Sequence, residues 1–90
     1  MPSVKFTNHL QRFFPTLKEV TVEGRTVADV VAAVDRQYPG LADYIVDERG
    51  ALRKHVNIFI GEDVIHDREK LSDAVDSTSR VFVFQALSGG

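Results

Sequence analysis

Cysteine is absent from this 90-residue chain. That excludes a disulfide scaffold, a cysteine nucleophile, an iron–sulfur centre and every thiolate metal site. Neither sign of charge is in large excess. Eleven lysines and arginines face 13 aspartates and glutamates, the two are interleaved, and the formal net charge is −2. Without a basic stripe, the composition argues against nucleic acid as the main partner. Long hydrophobic runs are also missing. The longest is Val30–Val34, far short of the ~20 residues that cross a bilayer as a helix. No apolar stretch follows Met1 in MPSVKFTNHL, so no secretory leader is expected and the default location is cytoplasmic. There is no repeat, linker or low-complexity tract. Ninety residues suffice for one domain, which at this size buries only about 60–65 % of its unfolded surface. A deep cleft between domains is therefore not available.

What is present reads as alternating and helical patterns. Val4 and Phe6 alternate with Lys5 and Thr7, a half-buried strand. Asn8–Lys18, with Phe13, Phe14 and Pro15, reads as a loop turning back, and neither phenylalanine can be placed from the pattern. Glu19–Glu23 alternates again, with Val20 and Val22 facing in, so the first two strands form a hairpin. Thr26 is a good N-cap and Asp29 falls in the electropositive first turn of a helix. Val27, Val30, Val31, Val34 and Tyr38 then lie on one helical face, and Pro39-Gly40 ends it. Valines are weak helix formers, so tertiary packing must hold this helix. Leu41–Ile45 adds a short helical turn, and Val46–Lys54 reads as an exposed charged loop. Val56–Ile60 is a strand, Gly61-Glu62-Asp63 a turn, and Val64-Ile65 a brief pairing. Leu71 lies in a short polar turn, and Arg80–Gln85 is the last strand.

Two hairpins around one helix predict an α+β fold, with a mixed sheet of four or five strands packed on that helix. The first and last strands are expected side by side and parallel at its centre. In the last strand Val81 and Val83 point one way, Phe82 and Phe84 the other. The valines match the Val56/Ile58/Ile60 side of the neighbouring strand, which groups Phe59 with Phe82 and Phe84 on the side away from the helix. An exposed aromatic cluster marks a binding surface. Three rings losing ~100 Å² each would contribute about 7 kcal/mol, much of it consumed by the association cost of about 4–15 kcal/mol. Transient docking is the expected outcome.

The element order, the size and the Gly89-Gly90 ending resemble the ubiquitin-like β-grasp sulfur carriers of the MoaD/ThiS family. The likeness rests on the helix Val27–Gly40, the segment HVNIFIGEDV (His55–Val64) and the ending VFVFQALSGG (Val81–Gly90). It implies a β-grasp domain over 1–85 and a flexible tail over 86–90. It also implies that a ubiquitin-activating-like adenylyltransferase adenylates the Gly90 carboxylate with ATP. A sulfide equivalent then leaves a thiocarboxylate for a sulfur-accepting biosynthetic enzyme in an amino-acid, cofactor or siderophore pathway. The family docks its activating enzyme through the sheet face that Phe59, Phe82 and Phe84 occupy here, with Leu87, Ser88 and Gly89 entering the partner's site. The resemblance implies no cofactor bound by the carrier, with ATP used by the partner alone, and no enzymatic activity of the carrier itself. Glycine suits such a tail because, lacking Cβ, it threads a narrow channel, and the five residues 86–90 reach at most about 17 Å. Gly89-Gly90 can equally be read as a frayed end.

Other features carry less. His9, His55 and His66 have no metal-ligand spacing, and the acid–His sequence Asp63–Asp67 reads as a solvated turn. Gly24 and Gly61 are turn glycines without phosphate-loop spacing. Three alternatives stay open: the small subunit of molybdopterin synthase, a ubiquitin-like protein modifier joined through Gly90 to lysines, and a β-grasp interaction module with no tail chemistry.

Overall fold

The computed structural model describes residues 1–85, with the backbone alone at Asn8 and His9. Five strands and two helices follow in the order β1 (Ser3–Phe6), β2 (Val20–Thr21), α1 (Val27–Gln37), α2 (Ala42–Ile45), β3 (Val56–Ile60), β4 (Asp63–Val64) and β5 (Arg80–Gln85), with a 3₁₀ turn over Asn8–Arg12. The sheet order is β2-β1-β5-β3-β4. β1 and β5 are parallel, with Val4 beside Val81 and Phe6 beside Val83. The other neighbours are antiparallel. This is the expected mixed β-grasp sheet with its first and last strands at the centre.

α1 begins where its cap chemistry places it. The Asp29 N–H donates to Thr26 Oγ1 at 3.2 Å, and the Asp29 carboxylate accepts from the Arg25 N–H at 3.1 Å. One orphan helix donor is thereby satisfied and the carboxylate sits in the first turn. Val27, Val30, Val31, Ala33 and Val34 form the buried face. They pack against Val4, Val81, Val83, Val56 and Ile58, all buried on the inner side of the sheet. Tyr38, held out of the helical region by Pro39, closes the helix, and Gly40 takes the positive φ of 95° that the turn requires.

Four expectations are corrected. The loop Asn8–Lys18 contains the 3₁₀ turn and two core residues, Leu10 and Leu17. The strand expected over Glu19–Glu23 shrinks to Val20–Thr21, because only Val4↔Val20 and Ser3↔Thr21 pair. Val20 is half-buried, while Val22 is buried beyond the ladder, its N–H donating to the Pro2 carbonyl. Within the charged segment Val46–Lys54, Leu52 is buried and bridges to Val46. Leu71 also belongs to the core, in a left-handed conformation with φ 55°.

The polar turns are tied down by carboxylates. Asp67 accepts from the N–H groups of Glu69, Lys70 and Ser72 and from the Ser72 hydroxyl. Asp73 accepts from the N–H groups of His66 and Asp67. These bonds hold the loop whose apolar anchors are Ile65, Leu71 and Val75. They also favour ionisation. The Ser72 hydroxyl and Lys70 N–H hold the Asp67 carboxyl below the usual carboxylate range, and the His66 N–H does the same for Asp73. Arg68 staples the start of β3, donating to the carbonyls of Arg53 and Val56 and to Asn57 Oδ1 at 2.8–2.9 Å.

Candidate functional site

Both helices lie on one side of the sheet, so the other side is open. Alternation along β5 sends Val81 and Val83 inward and Arg80, Phe82 and Phe84 outward. β3 does the same with Val56 and Ile58 inward and Phe59 outward. Residues opposite each other in a ladder share a face. Phe59 stands opposite Phe82 on β5 and opposite Val64 on β4, and Lys5 stands beside Phe82 on β1. Phe59 and Phe84 meet edge to face, with ring centroids 6.1 Å apart and planes at 76°, a favoured aromatic geometry.

The three phenylalanines are therefore brought together on the open face, as expected, but they are not equally exposed. Phe84 is 54 % accessible, whereas Phe59 and Phe82 are half-buried by their sheet neighbours. The pattern alone missed Val64, which is 46 % accessible and extends the patch across β4. Its signal was the two-residue turn Gly61-Glu62. That turn sets Phe59 opposite Val64 and sends Ile65 inward. Lys5, Arg80 and Glu19 form a charged rim of mixed sign. A groove of about 300 Å³ runs beside the rings, lined by Lys5, Phe6, Thr7, Phe82, Val83 and Phe84.

β5 ends at Gln85, opposite Val56. Gln85 Nε2 lies 3.3 Å from His55 Nε2. The Thr7 hydroxyl and Gln85 Oε1 are buried there without a partner among the described residues. The expected tail residues Leu87, Ser88, Gly89 and Gly90, like the boundary at 86, lie outside the described residues. The remaining two phenylalanines are placed. Phe13 stacks on Tyr44 at 4.8 Å, and Phe14 meets the same ring edge-on at 5.5 Å.

Among the described residues no three histidine or acidic side chains come together as metal ligands. The His66 N–H is occupied by Asp73, and the Asp63–Asp67 segment holds no acid–His pair at hydrogen-bond distance among the described contacts. Among the described residues no helix is long and apolar enough to cross a membrane. The described side chains offer a docking surface: an aromatic patch bordered by Lys5, Glu19 and Arg80, on the strand whose last described residue is Gln85.

The chain resembles known proteins in sequence and fold. The family model of the ThiS family matches residues 4–90. The chain is 32 % identical over 89 residues to Small archaeal modifier protein 3 of Haloferax volcanii, covering 88 % of this chain and 95 % of that one. It is 25 % identical over 75 residues to sulfur carrier protein CysO of Mycobacterium tuberculosis, covering 81 % of each. Among solved structures it resembles a chain of the BexX/CysO complex of Amycolatopsis orientalis, with TM-score 0.86 and 19 % identity over the full length of both. It also resembles SAMP1 of Haloferax volcanii, with TM-score 0.77, 23 % identity, and 99 % of this chain and 98 % of that one covered. At these identities the two structures speak for the fold.

Proposed function

Since the chain belongs to the ThiS family, we propose that it is a sulfur carrier whose reactive group is the carboxylate of Gly90, borne on residues 86–90 by the β-grasp domain 1–85. The carrying observation is that the aromatic open face lies on the strand whose last described residue, Gln85, precedes that segment. A carboxylate is a poor electrophile, and this one is ionised at neutral pH, with a reference pKa of about 3.3–3.7. In the proposed first step a partner adenylyltransferase binds ATP, and a Gly90 carboxylate oxygen attacks the α-phosphorus, expelling pyrophosphate. Hydrosulfide then attacks the acyl carbon of the adenylate. The C–O bond to AMP breaks, a proton is lost, and a thiocarboxylate remains for a sulfur-accepting biosynthetic enzyme.

The chain contributes no base and no metal to this scheme; it presents and docks. Phe59, Val64, Phe82 and Phe84 supply apolar area to the adenylyltransferase. Leu87, Ser88 and Gly89 enter its channel, where the absence of side chains at Gly89 and Gly90 allows close approach. Location in the cytoplasm follows from dependence on ATP. A second function is favoured by the 32 % identity to a modifier protein: the same adenylate passed to lysine amines, giving isopeptides.

Both begin at Gly90 and part afterwards. Incubating the native chain with its adenylyltransferase, ATP and sulfide, then measuring intact mass, tests them. Exchange of one oxygen for sulfur supports the carrier, and lysine conjugates support the modifier. An unchanged mass, with no AMP released, refutes both.

A further inference from the structure

β1 and β5 run parallel side by side, so Phe6 and Gln85 end them at the same end of the sheet. The Thr7 N–H, first after β1, donates to the Val83 carbonyl at 3.2 Å. Antiparallel β3 starts at the same end, with Val56 opposite Gln85. From there a chain of bonds reaches α2. The Val56 N–H donates to the Arg53 carbonyl, the Arg53 N–H donates to the Ile45 carbonyl, and Arg53 Nε donates to the Asp43 carbonyl at 2.8 Å. The end of the molecule that holds Gln85 thus carries α2 and the segment after β1. Where those two meet, Phe13 lies stacked on Tyr44.

Phe13 is 51 % accessible, yet its ring is fixed. Tyr44 and Phe14 beneath it pack against the core. Leu10 and Leu17 anchor the loop on either side. Gln11 Nε2 donates to the Leu17 carbonyl at 3.0 Å, and the Tyr38 hydroxyl to the Thr16 carbonyl at 3.3 Å. A half-exposed aromatic ring already held in one orientation loses little entropy on docking.

The length of the segment beyond Gln85 says what meets this ring. Five residues span at most about 17 Å. An enzyme acting on Gly90 cannot stand off from this end, and the rim of its opening must rest on the surfaces bordering Gln85. One border is Phe84 on the open face; the other begins at His55, 3.3 Å from Gln85, and continues through the Arg53 bonds to α2, which carries Tyr44. We infer that the Phe13–Tyr44 stack is a second docking contact for the adenylating enzyme, meeting an apolar rim around the opening that admits residues 86–90. This rests on the role of Gly90 proposed above and adds a helix-side contact to the sheet-face one.

Initial rates of ATP-dependent AMP release by the adenylating enzyme of the same organism, measured against concentration of the full chain, test it. With Phe13→Ser, KM is expected to rise about five- to twentyfold, the range set by losing part of one ring's buried area. kcat should stay near wild type, the melting temperature should fall by no more than Phe84→Ala lowers it, and Phe13→Tyr should restore both KM and melting temperature. No AMP release with the wild-type chain would overturn the role of Gly90 and this inference together. Normal release with an unchanged KM in Phe13→Ser, while Phe84→Ala raises KM, would overturn this inference alone.

Discussion

Two adjacent residues of β5 make opposite predictions. Val83 is 3 % accessible on the helix side and Phe84 is 54 % accessible on the open side. Val83→Ala removes two buried methyl groups. At about 0.8 kcal/mol per group, plus the cavity left by neighbours that cannot fully collapse, it should cost about 2–3 kcal/mol of stability. In a domain of this size each kcal/mol lowers Tm by roughly 4–8 °C, so a drop of about 10–20 °C is expected. Phe84→Ala removes a larger side chain. About half its area, ~100 Å², is buried, and its loss leaves an open notch rather than a closed cavity, so its stability cost should be at most about 2.5 kcal/mol. The exposed half, ~100 Å² on a ring of this size, would contribute up to about 2.5 kcal/mol to docking. KM for the adenylating enzyme should therefore rise about ten- to sixtyfold. Thermal melts followed by circular dichroism, with AMP-release kinetics on the same samples, measure both. If Phe84→Ala melts lower than Val83→Ala and binds the enzyme normally, the two faces have been assigned the wrong way round.

Leu71→Ala should cost about 2–4 kcal/mol in urea unfolding despite its polar neighbours, since its side chain is 2 % accessible; a loss below about 0.5 kcal/mol would contradict its place in the core. Gly24→Ala should lower the urea midpoint. The added Cβ would lie 3.0 Å from Asp29 Cβ and 3.2 Å from the Val30 nitrogen, an overpacking that costs about 1–3 kcal/mol, and a neutral result would mean the helix start can shift. Acid should unfold the protein through its turns. Hydrogen bonds hold the Asp47, Asp67, Asp73 and Asp76 carboxyls below the usual range. Their contribution is present above about pH 4 and lost as pH falls through the lowered values. Asp67→Asn should flatten that acid limb in a Tm-against-pH series, and an unaltered limb would remove Asp67 from the account.

Much of the scaffold was legible because repeated patterns carry it. The Thr26 cap, the valine face of α1, the bounds of β3 and β5, and the pairing of β5 with β1 all follow from alternation, helical spacing and capping chemistry. The side taken by Phe59, Phe82 and Phe84 was legible for the same reason, through the matching valines and isoleucines behind them. Single anchors inside polar loops were not. Leu10, Leu17, Leu52 and Leu71 have no periodic neighbours, and the hydrogen bonds that hold their loops in place, such as Leu52 N–H to the Arg68 carbonyl and Gln11 Nε2 to the Leu17 carbonyl, join residues whose contact only the fold determines. In Val64-Ile65 both residues are apolar, and only the strand register decides which one faces out. The Phe13–Tyr44 stack joins a residue of the loop after β1 to one on α2 and leaves no trace in local pattern.

Intact-mass measurement of the chain purified from its own cells, followed by fragmentation to the C-terminal residue, tests the central claim most directly. A population in which sulfur replaces one oxygen at the Gly90 carboxylate, lost when the adenylating enzyme is deleted, is the predicted result. A chain that ends elsewhere than Gly90 in its mature form, or one whose Gly90 stays an unmodified carboxylate while the pathway runs, would contradict it.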